Sequence, residues 1–273
     1  MFGGKKIKIL KNLILTIVSI ILVFFYKRFV TVKRDNLNYF LDLSERVDLK
    51  IFFFGSSEPT LQKTKELIKN KKKIIIIDCG SHNGGTSMLL ARIWPKSIIH
   101  SIEANYDNFL KIKKNISLNK KLSKIIIPHN FYITNKKIVP KKIFSNWKVD
   151  FSSKKNKDHH GVKVINNAPK KKLDIFLSLR KKIDFIKIDT DGYELIVLKS
   201  AKKLIERYQP LLFIEVFKFK NSYNITLSKL IAYIKSIDYD FYDENLVKIE
   251  SINDYIKYNI GYHESTNFFL IKK

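Results

Sequence analysis

From Lys73 onward the chain alternates between short apolar runs and amphipathic stretches. Ile74 to Ile77 is an apolar run that ends at Asp78 and breaks into Cys79-Gly80-Ser81-His82-Asn83-Gly84-Gly85. Met88-Leu89-Leu90-Ala91 follows. This order predicts a buried parallel strand, a glycine turn and the start of a helix. Further strands are expected over Ser97–Ile102, Lys124–Pro128, Ile183–Asp189 and Leu211–Val216, with closing strands at Phe241–Tyr242 and Phe268–Ile271. Helices are expected over Asp107–Leu118, with Phe109, Leu110, Ile112 and Ile116 on its apolar side, and over Leu173–Leu179, Tyr193–Ile205 and Leu227–Ile237. Alternation of this kind predicts an α/β fold, a doubly wound and mostly parallel Rossmann-like sheet.

Three segments precede or bound that domain. Residues 1–34 form a basic head and an apolar stretch from Ile7 to Tyr26, broken only by Lys8, Lys11, Asn12 and a few hydroxyls. A spanning helix needs about 20 apolar residues, and the stretch qualifies if its early lysines reach back to the headgroups. Tyr26-Lys27-Arg28 follows in place of small residues, so an uncleaved single-pass N-terminal anchor is expected rather than a signal peptide. Four lysines (Lys5, Lys6, Lys8 and Lys11) before its uninterrupted part, Leu13–Tyr26, and Lys27, Arg28, Lys33 and Arg34 after it leave its orientation open. Residues 35–72 read as a polar connector with a helix capped near Ser57-Glu58-Pro59. Residues 73–273 are expected to make the main α/β domain, with a lysine-rich segment at 135–170 holding His159-His160 and read as strand fragments and exposed loop.

Composition changes this picture little. Hydrophobic residues make up 45% and aromatics 13% of 273 residues, which describes a globular chain. The net charge is +27, but the lysines come in scattered twos and threes without interleaved aromatics. Together with the abundance of Ile and Asn, that favours coding bias and solubility, and no nucleic-acid partner is expected. A single cysteine, Cys79, excludes an internal disulfide and a cysteine zinc site.

The glycine turn admits three ligand chemistries. A dinucleotide turn requires G-x-G-x-x-G, and here His82 stands where the second glycine would be. A phosphate loop requires G-x-x-x-x-G-K-[ST], and here Thr86 replaces the lysine. The third pattern, D-x-G-x-x-x-G, is met by Asp78, Gly80 and Gly84, and suits a ligand with an amino-acid end and a sulfonium. Ser81 and Asn83 complete this candidate cofactor turn. Glu103, ending the second strand 25 residues after Asp78, is placed to take both hydroxyls of a ribose. Asn130, just past the third strand, is a candidate for an adenine edge.

Residues 183–201 read IDFIKIDTDGYELIVLKSA. Carboxylates at the end of a central strand are costly unless a ligand, a metal or a hydrogen-bond network uses them. Asp191 and Glu194 also suit a helix N-terminus, leaving Asp189 to face a ligand. These residues, with IIDCGSHNGG, IEAN and PLLFIEVF, resemble the FkbM-type family of S-adenosylmethionine-dependent methyltransferases over roughly residues 73–217. Two departures are Glu103-Ala104-Asn105-Tyr106, where prolines are usual, and Asp191 in place of glutamate. The resemblance implies a seven-stranded class I methyltransferase sheet whose last strand runs antiparallel, S-adenosyl-L-methionine as cofactor, and O-methylation of sugars or secondary metabolites.

Methyl transfer to a hydroxyl asks for an oxygen held about 3 Å from the methyl carbon and for an acceptor of its proton. Asp189 is expected nearest the reacting centre, with Glu215 on the adjacent strand supporting it. Two candidate ligands do not make a metal site, and no metal is assigned. His82 and His129 are weaker candidates for the base. The acceptor is expected to be a small molecule or a glycan. The cytosolic origin of the cofactor favours a catalytic domain facing the cytosol behind a membrane anchor; the sequons at Asn115 and Asn224 would count only on a lumenal domain. Two other classes stay open: a membrane-bound nucleotide-dependent enzyme such as a kinase or NAD-dependent dehydrogenase, and a non-catalytic cofactor-binding module. The oligomeric state is not legible.

Overall fold

The computed structural model describes residues 27–55, 58–135, 142–145, 161–164, 168–218, 227–261 and 264–273, besides Ile17, Val18 and Ile21. The apolar segment expected as an anchor helix therefore lies almost wholly outside the described residues, and so do His159-His160 and Asn224. No helix among the described residues is long and apolar enough to cross a membrane.

The chain begins with an antiparallel hairpin, β1 (Phe29–Arg34) and β2 (Leu37–Asp42), followed by helix α1 (Arg46–Phe54). Asp35 and Asn36 make the hairpin turn with φ of 50° and 64°, the left-handed pair that a two-residue hairpin favours. Then come a 3-10 turn (Pro59–Lys63) and one turn of helix, α2 (Thr64–Leu67). The core alternation is β3 (Ile75–Cys79), α3 (Gly85–Ile93), β4 (Ile98–Glu103), α4 (Tyr106–Ser117) and β5 (Ile126–Asn130). Short strands β6 (Tyr132–Ile133), β7 (Lys142–Ser145), β8 (Gly161–Val164) and β9 (Lys170–Lys171) follow. The chain continues with β10 (Phe185–Ile188), α5 (Glu194–Ser200), α6 (Lys202–Tyr208) and β11 (Leu211–Phe217). It closes with α7 (Leu227–Ser236), β12 (Tyr239–Tyr242), α8 (Ile252–Asn259) and β13 (Ser265–Lys272).

Seven strands form one sheet in the order β12-β13-β11-β10-β3-β4-β5. The pairs among β11, β10, β3, β4 and β5 are parallel, and β13 runs antiparallel between β11 and β12. This is the expected mostly parallel sheet, with its last strand reversed. Both faces are buried, so the strands read as continuous apolar runs, not alternating ones. Ile75, Ile77, Ile186 and Ile188 pack under α5 to α8. Ile76, Phe185 and Phe213 pack against α3, α4 and the N-terminal hairpin.

Three elements differ from expectation. The stretch 35–72 is a folded layer, not a connector: Tyr39, Leu41, Leu43, Leu49 and Ile51 are buried in the second core. Its polar residues hide this, because several face inward to partners. The helix expected over Tyr193–Ile205 is two helices meeting at Ala201, where the Asp174 carboxylate accepts the N–H of Leu204, 2.9 Å away, and caps the second. The helix expected over Leu173–Leu179 forms as a 3-10 helix.

Asn115, on α4, ties the N-terminal layer to the glycine turn. Fully buried, its Oδ1 accepts from Phe40 N at 2.6 Å and its Nδ2 donates to Asn83 O at 2.8 Å. Its burial also removes this sequon as a glycosylation site. Asn115→Ala leaves a buried donor and a buried acceptor without partners, and each costs about 1–3 kcal/mol. Urea unfolding should show the variant less stable by about 2 kcal/mol or more with unchanged m.

Candidate active site

Asp78 ends β3 with no exposed surface. Its Oδ2 accepts from Ser87 Oγ at 2.6 Å, while Oδ1 is buried and accepts no hydrogen bond. Gly80 follows at φ +79°, and a Cβ there would lie 1.8 Å from the backbone oxygen of Asp189. Only glycine lets the ends of β3 and β10 come this close.

The turn is held from within. Gly80 and Ser81 both donate their N–H to Ile102 O at 3.0 Å, and Gly84 donates to Ser81 O at 2.7 Å. His82 N donates to Glu103 Oε2 at 2.9 Å, and Gly85 N donates to Asn83 Oδ1 at 2.8 Å. Ser81 Oγ donates to Asp78 O at 2.9 Å, and Asn83 Nδ2 donates to Asp48 Oδ1 at 2.6 Å. The side chains of Ser81 and Asn83 thus shape the turn, and these five N–H groups do not form a phosphate cradle.

The second carboxylate, Glu103, ends β4 and is nearly buried. It accepts from His82 N through one oxygen and from Asn105 N, at 2.8 Å, through the other. Asn130 ends β5 and donates to the backbone oxygens of Glu103 and Ala104 at 2.9 and 3.2 Å, so its amide nitrogen braces the end of β4.

Lys187 is the centre of the arrangement. It lies in β10, level with Asp78 on β3, and is 2% exposed. Its Nζ donates to Asp189 Oδ2 at 2.9 Å and stands 3.8 Å from Asp78 Oδ1 and 3.9 Å from Glu58 Oε1. Burial opposes its charge, but Asp189, Glu58 and Asp78 outweigh burial and hold it well above the ordinary lysine value. Burial alone would raise Asp189 too; Lys187, with hydrogen bonds from Glu215 and Lys187, holds it below the usual carboxylate range.

Asp189, Asp191 and Glu215 bring carboxylate oxygens within 4.8 Å of one another. Glu215 follows Ile214, the partner of Ile188 at the end of β10, which sets it beside Asp189. Burial, then repulsion from Asp189 and Asp191, pushes Glu215 well above its ordinary value. Burial and these neighbours favour the neutral form of Glu215, while Lys187 favours the charged form of Asp189 beside it. Burial, then Asp189 and Glu194, pushes Asp191 up to about 7. Glu194 accepts from Thr190 N, Thr190 Oγ1 and Gly192 N at 3.0–3.1 Å and closes the loop that carries Asp191.

The two expected catalytic carboxylates are thus adjacent, on the same sheet edge as Asp78, Gly80 and Glu103. His82 Nε2 pairs with Glu45 at 2.9 Å beside α1. His129 Nε2 meets His100 Nδ1 at 3.0 Å, against Phe176. Sequence reading missed Asp191 and Glu58. Glu58 lies in the stretch that reads as a helix cap, but its Oε2 accepts from Thr86 Oγ1 at 3.1 Å and it makes no side-chain cap to its own helix. Lys187 carried a signal, a lone lysine inside an apolar strand.

The donor set suits a cationic cofactor. Asp78 Oδ1 is a buried acceptor without a donor, Gly80 keeps the two strand ends open to backbone contact, and the surrounding side chains are acidic. A phosphate would meet these carboxylates while the five N–H groups of the turn donate elsewhere and cannot offset them.

A model of the methyltransferase FkbM domain matches residues 78–241. Among solved structures, the chain is similar to a putative rRNA methylase from Clostridium thermocellum at 8% identity, covering 80% of this chain and 96% of that one with a TM-score of 0.48. It is also similar to M. jannaschii TYW2 in complex with AdoMet, at 13% identity over 90% and 87% of the chains, TM-score 0.44. A SAM-dependent methyltransferase from Aquifex aeolicus follows at 10% identity over 85% and 95%, TM-score 0.43. Likeness at this level carries no argument about the acceptor. No curated protein sequence matches the chain.

Gly80→Ala forces a methyl group onto Asp189 O and strains a left-handed residue. Equilibrium dialysis with S-adenosylhomocysteine should show affinity reduced by about tenfold or more, as a shift of 1.4 kcal/mol already gives. A second outcome concerns pH. Asp191 has a folded value near 7 against 3.8 unfolded, so the folded state binds the extra proton and stability falls as pH rises from about 4 to about 7. Asp191→Asn, which suits the φ of +50°, should flatten that fall in denaturant midpoints measured across this range.

Proposed function

The chain belongs to the FkbM methyltransferase family, and on that premise we propose that it methylates a hydroxyl of a glycan, glycolipid or secondary metabolite. Its cofactor is S-adenosyl-L-methionine, which supplies an electrophilic methyl group on a sulfonium. The observation that carries the reading is the acidic strand edge around Lys187: it disfavours phosphates, and it sets Asp189, held low by Lys187, beside Glu215, pushed up by burial.

Glu103 is assigned to the ribose hydroxyls, Asp78 with Gly80 and Gly84 to the amino-acid end, and Asn130 to the adenine side. Asp189 is assigned to the acceptor. Lys187 fixes its orientation and keeps it charged, and Glu215 directs its own proton at Asp189 rather than competing for the acceptor's. The hydroxyl gives its proton to Asp189 as its oxygen is methylated. Asp189 is part-exposed at the strand edge, so the proton passes on to solvent.

The engaged N–H groups of the turn speak against the kinase and dehydrogenase alternatives. The apolar stretch 7–26 is assigned to the membrane on the sequence, and the catalytic domain to the cytosolic side because the cofactor is made there.

Asp189→Asn keeps size and removes the base. Cofactor affinity should stay within a few-fold, while methylation falls by about 10²-fold or more. The check is mass spectrometry of envelope glycans and lipids from cells lacking the gene and complemented with either form. The added mass of one methylene on a hydroxyl should return with the parent chain and not with the variant. A variant that restores it fully removes Asp189 from catalysis.

A further inference from the structure

His82 sits in the glycine turn at φ +51°, a left-handed conformation that a residue with a side chain holds only where its surroundings fix it. Its N–H donates to Glu103, the carboxylate assigned to the ribose. Asn83, the next residue, is pinned from three sides. Its carbonyl accepts from Asn115 Nδ2 at 2.8 Å, its Nδ2 donates to Asp48 Oδ1 at 2.6 Å, and its Oδ1 accepts from Gly85 N at 2.8 Å. Asn115 is fully buried in α4, and its Oδ1 accepts from Phe40 N of β2 at 2.6 Å. One side chain thus joins the strained turn to the N-terminal hairpin. Asn119, four residues on, binds the same hairpin differently. Its Oδ1 accepts from Asn38 N at 2.9 Å, and its Nδ2 donates to Asn38 O at 2.7 Å and to Asn115 O at 2.8 Å. None of these bonds touches the turn.

We propose that Asn115 is a positioning residue for cofactor binding, which acts through the Asn83 carbonyl to keep His82 in the conformation that aims its N–H at Glu103. The inference rests on the assignment of Glu103 to the ribose of S-adenosylmethionine. Relaxing His82 to an ordinary negative φ requires the peptide that joins it to Asn83 to rotate. With the Asn83 carbonyl held by Asn115 and its side chain held by Asp48, that rotation is blocked. Without Asn115 the turn relaxes, its N–H leaves Glu103, and the carboxylate loses the donor that orients it toward the ribose hydroxyls. The hairpin, which precedes the residues matched by the family model, thereby sets the geometry of the cofactor turn.

The test uses the full chain, two variants and two ligands, at a temperature where every chain is folded. Asn115→Ala cuts the link between hairpin and turn; Asn119→Ala loosens the same hairpin and leaves the turn alone. The ligands are S-adenosylhomocysteine and its 2′-deoxy analogue, which lacks one of the hydroxyls assigned to Glu103. Calorimetry should show Asn115→Ala binding S-adenosylhomocysteine about tenfold more weakly, while the deoxy analogue loses about threefold or less, the difference measuring the coupling of Asn115 to the ribose contact. Asn119→Ala should bind both ligands as the parent chain does. Equal weakening of both ligands by Asn115→Ala, or the same loss in both variants, makes Asn115 merely structural, and no loss in either removes it from the site; each overturns the proposal. A parent chain that binds no S-adenosylhomocysteine, or binds the two ligands equally well, overturns the cofactor or ribose reading and the proposal with it. Should Asn115→Ala not fold, Asn115→Ser, whose hydroxyl is too short to span both partners, is measured in the same way and judged by the same outcomes.

Discussion

A buried lysine in the middle of a sheet organises this protein. Lys187 occupies a strand position where an apolar residue would cost nothing, and its charge is tolerable only because Asp78, Asp189 and Glu58 surround it. The three carboxylates come from three different parts of the chain: the end of β3, the end of β10 and the layer before the sheet. The ammonium therefore fixes the relative positions of segments remote in sequence, and it also sets their charge states. Lys187 holds Asp189, which it touches, below the carboxylate range, while burial and Asp189 push Glu215 above it. That asymmetry is the same device by which paired carboxyl groups elsewhere divide acid and base roles.

The glycine turn depends on a second set of constraints. Gly80 permits the backbones of β3 and β10 to meet, and the hydrogen bonds of Ser81, His82 and Asn83 leave the turn little freedom. Asn83 is held by Asp48 and, through its carbonyl, by Asn115, which also holds the N-terminal hairpin. Glu45 and Asp48 lie with His82 and Lys111 in a buried charge group between α1 and the turn. The N-terminal layer is thereby part of the site's framework, although the family match begins only at Asp78.

The sheet was legible because its strands are buried on both faces, and continuous runs such as Ile74–Ile77 leave few other readings. Asp78, Gly80, Glu103 and Asp189 were legible because each closes such a run, where side chains reach the carboxyl edge. The hairpin of residues 29–42 was not, since its inward residues alternate with polar ones and its turn, Asp35-Asn36, lacks the glycine that usually marks it. Glu58 was misread for a local reason. Glu-Pro before a helical pattern is a cap signal, and only tertiary contact with Thr86 and Lys187 shows another use. Asp191 was hidden likewise, because an acid before a helix N-terminus satisfies a local rule before it satisfies a site.

The central claim is that an acidic strand edge, built around one lysine and one glycine turn, holds a cationic sulfonium nucleoside and excludes phosphorylated ones. Calorimetric titration of the full chain with S-adenosylmethionine, ATP and NAD measures this directly. The account predicts saturable one-to-one binding of S-adenosylmethionine and no detectable heat of binding from ATP or NAD at the same concentrations. Binding of ATP or NAD without S-adenosylmethionine would contradict it.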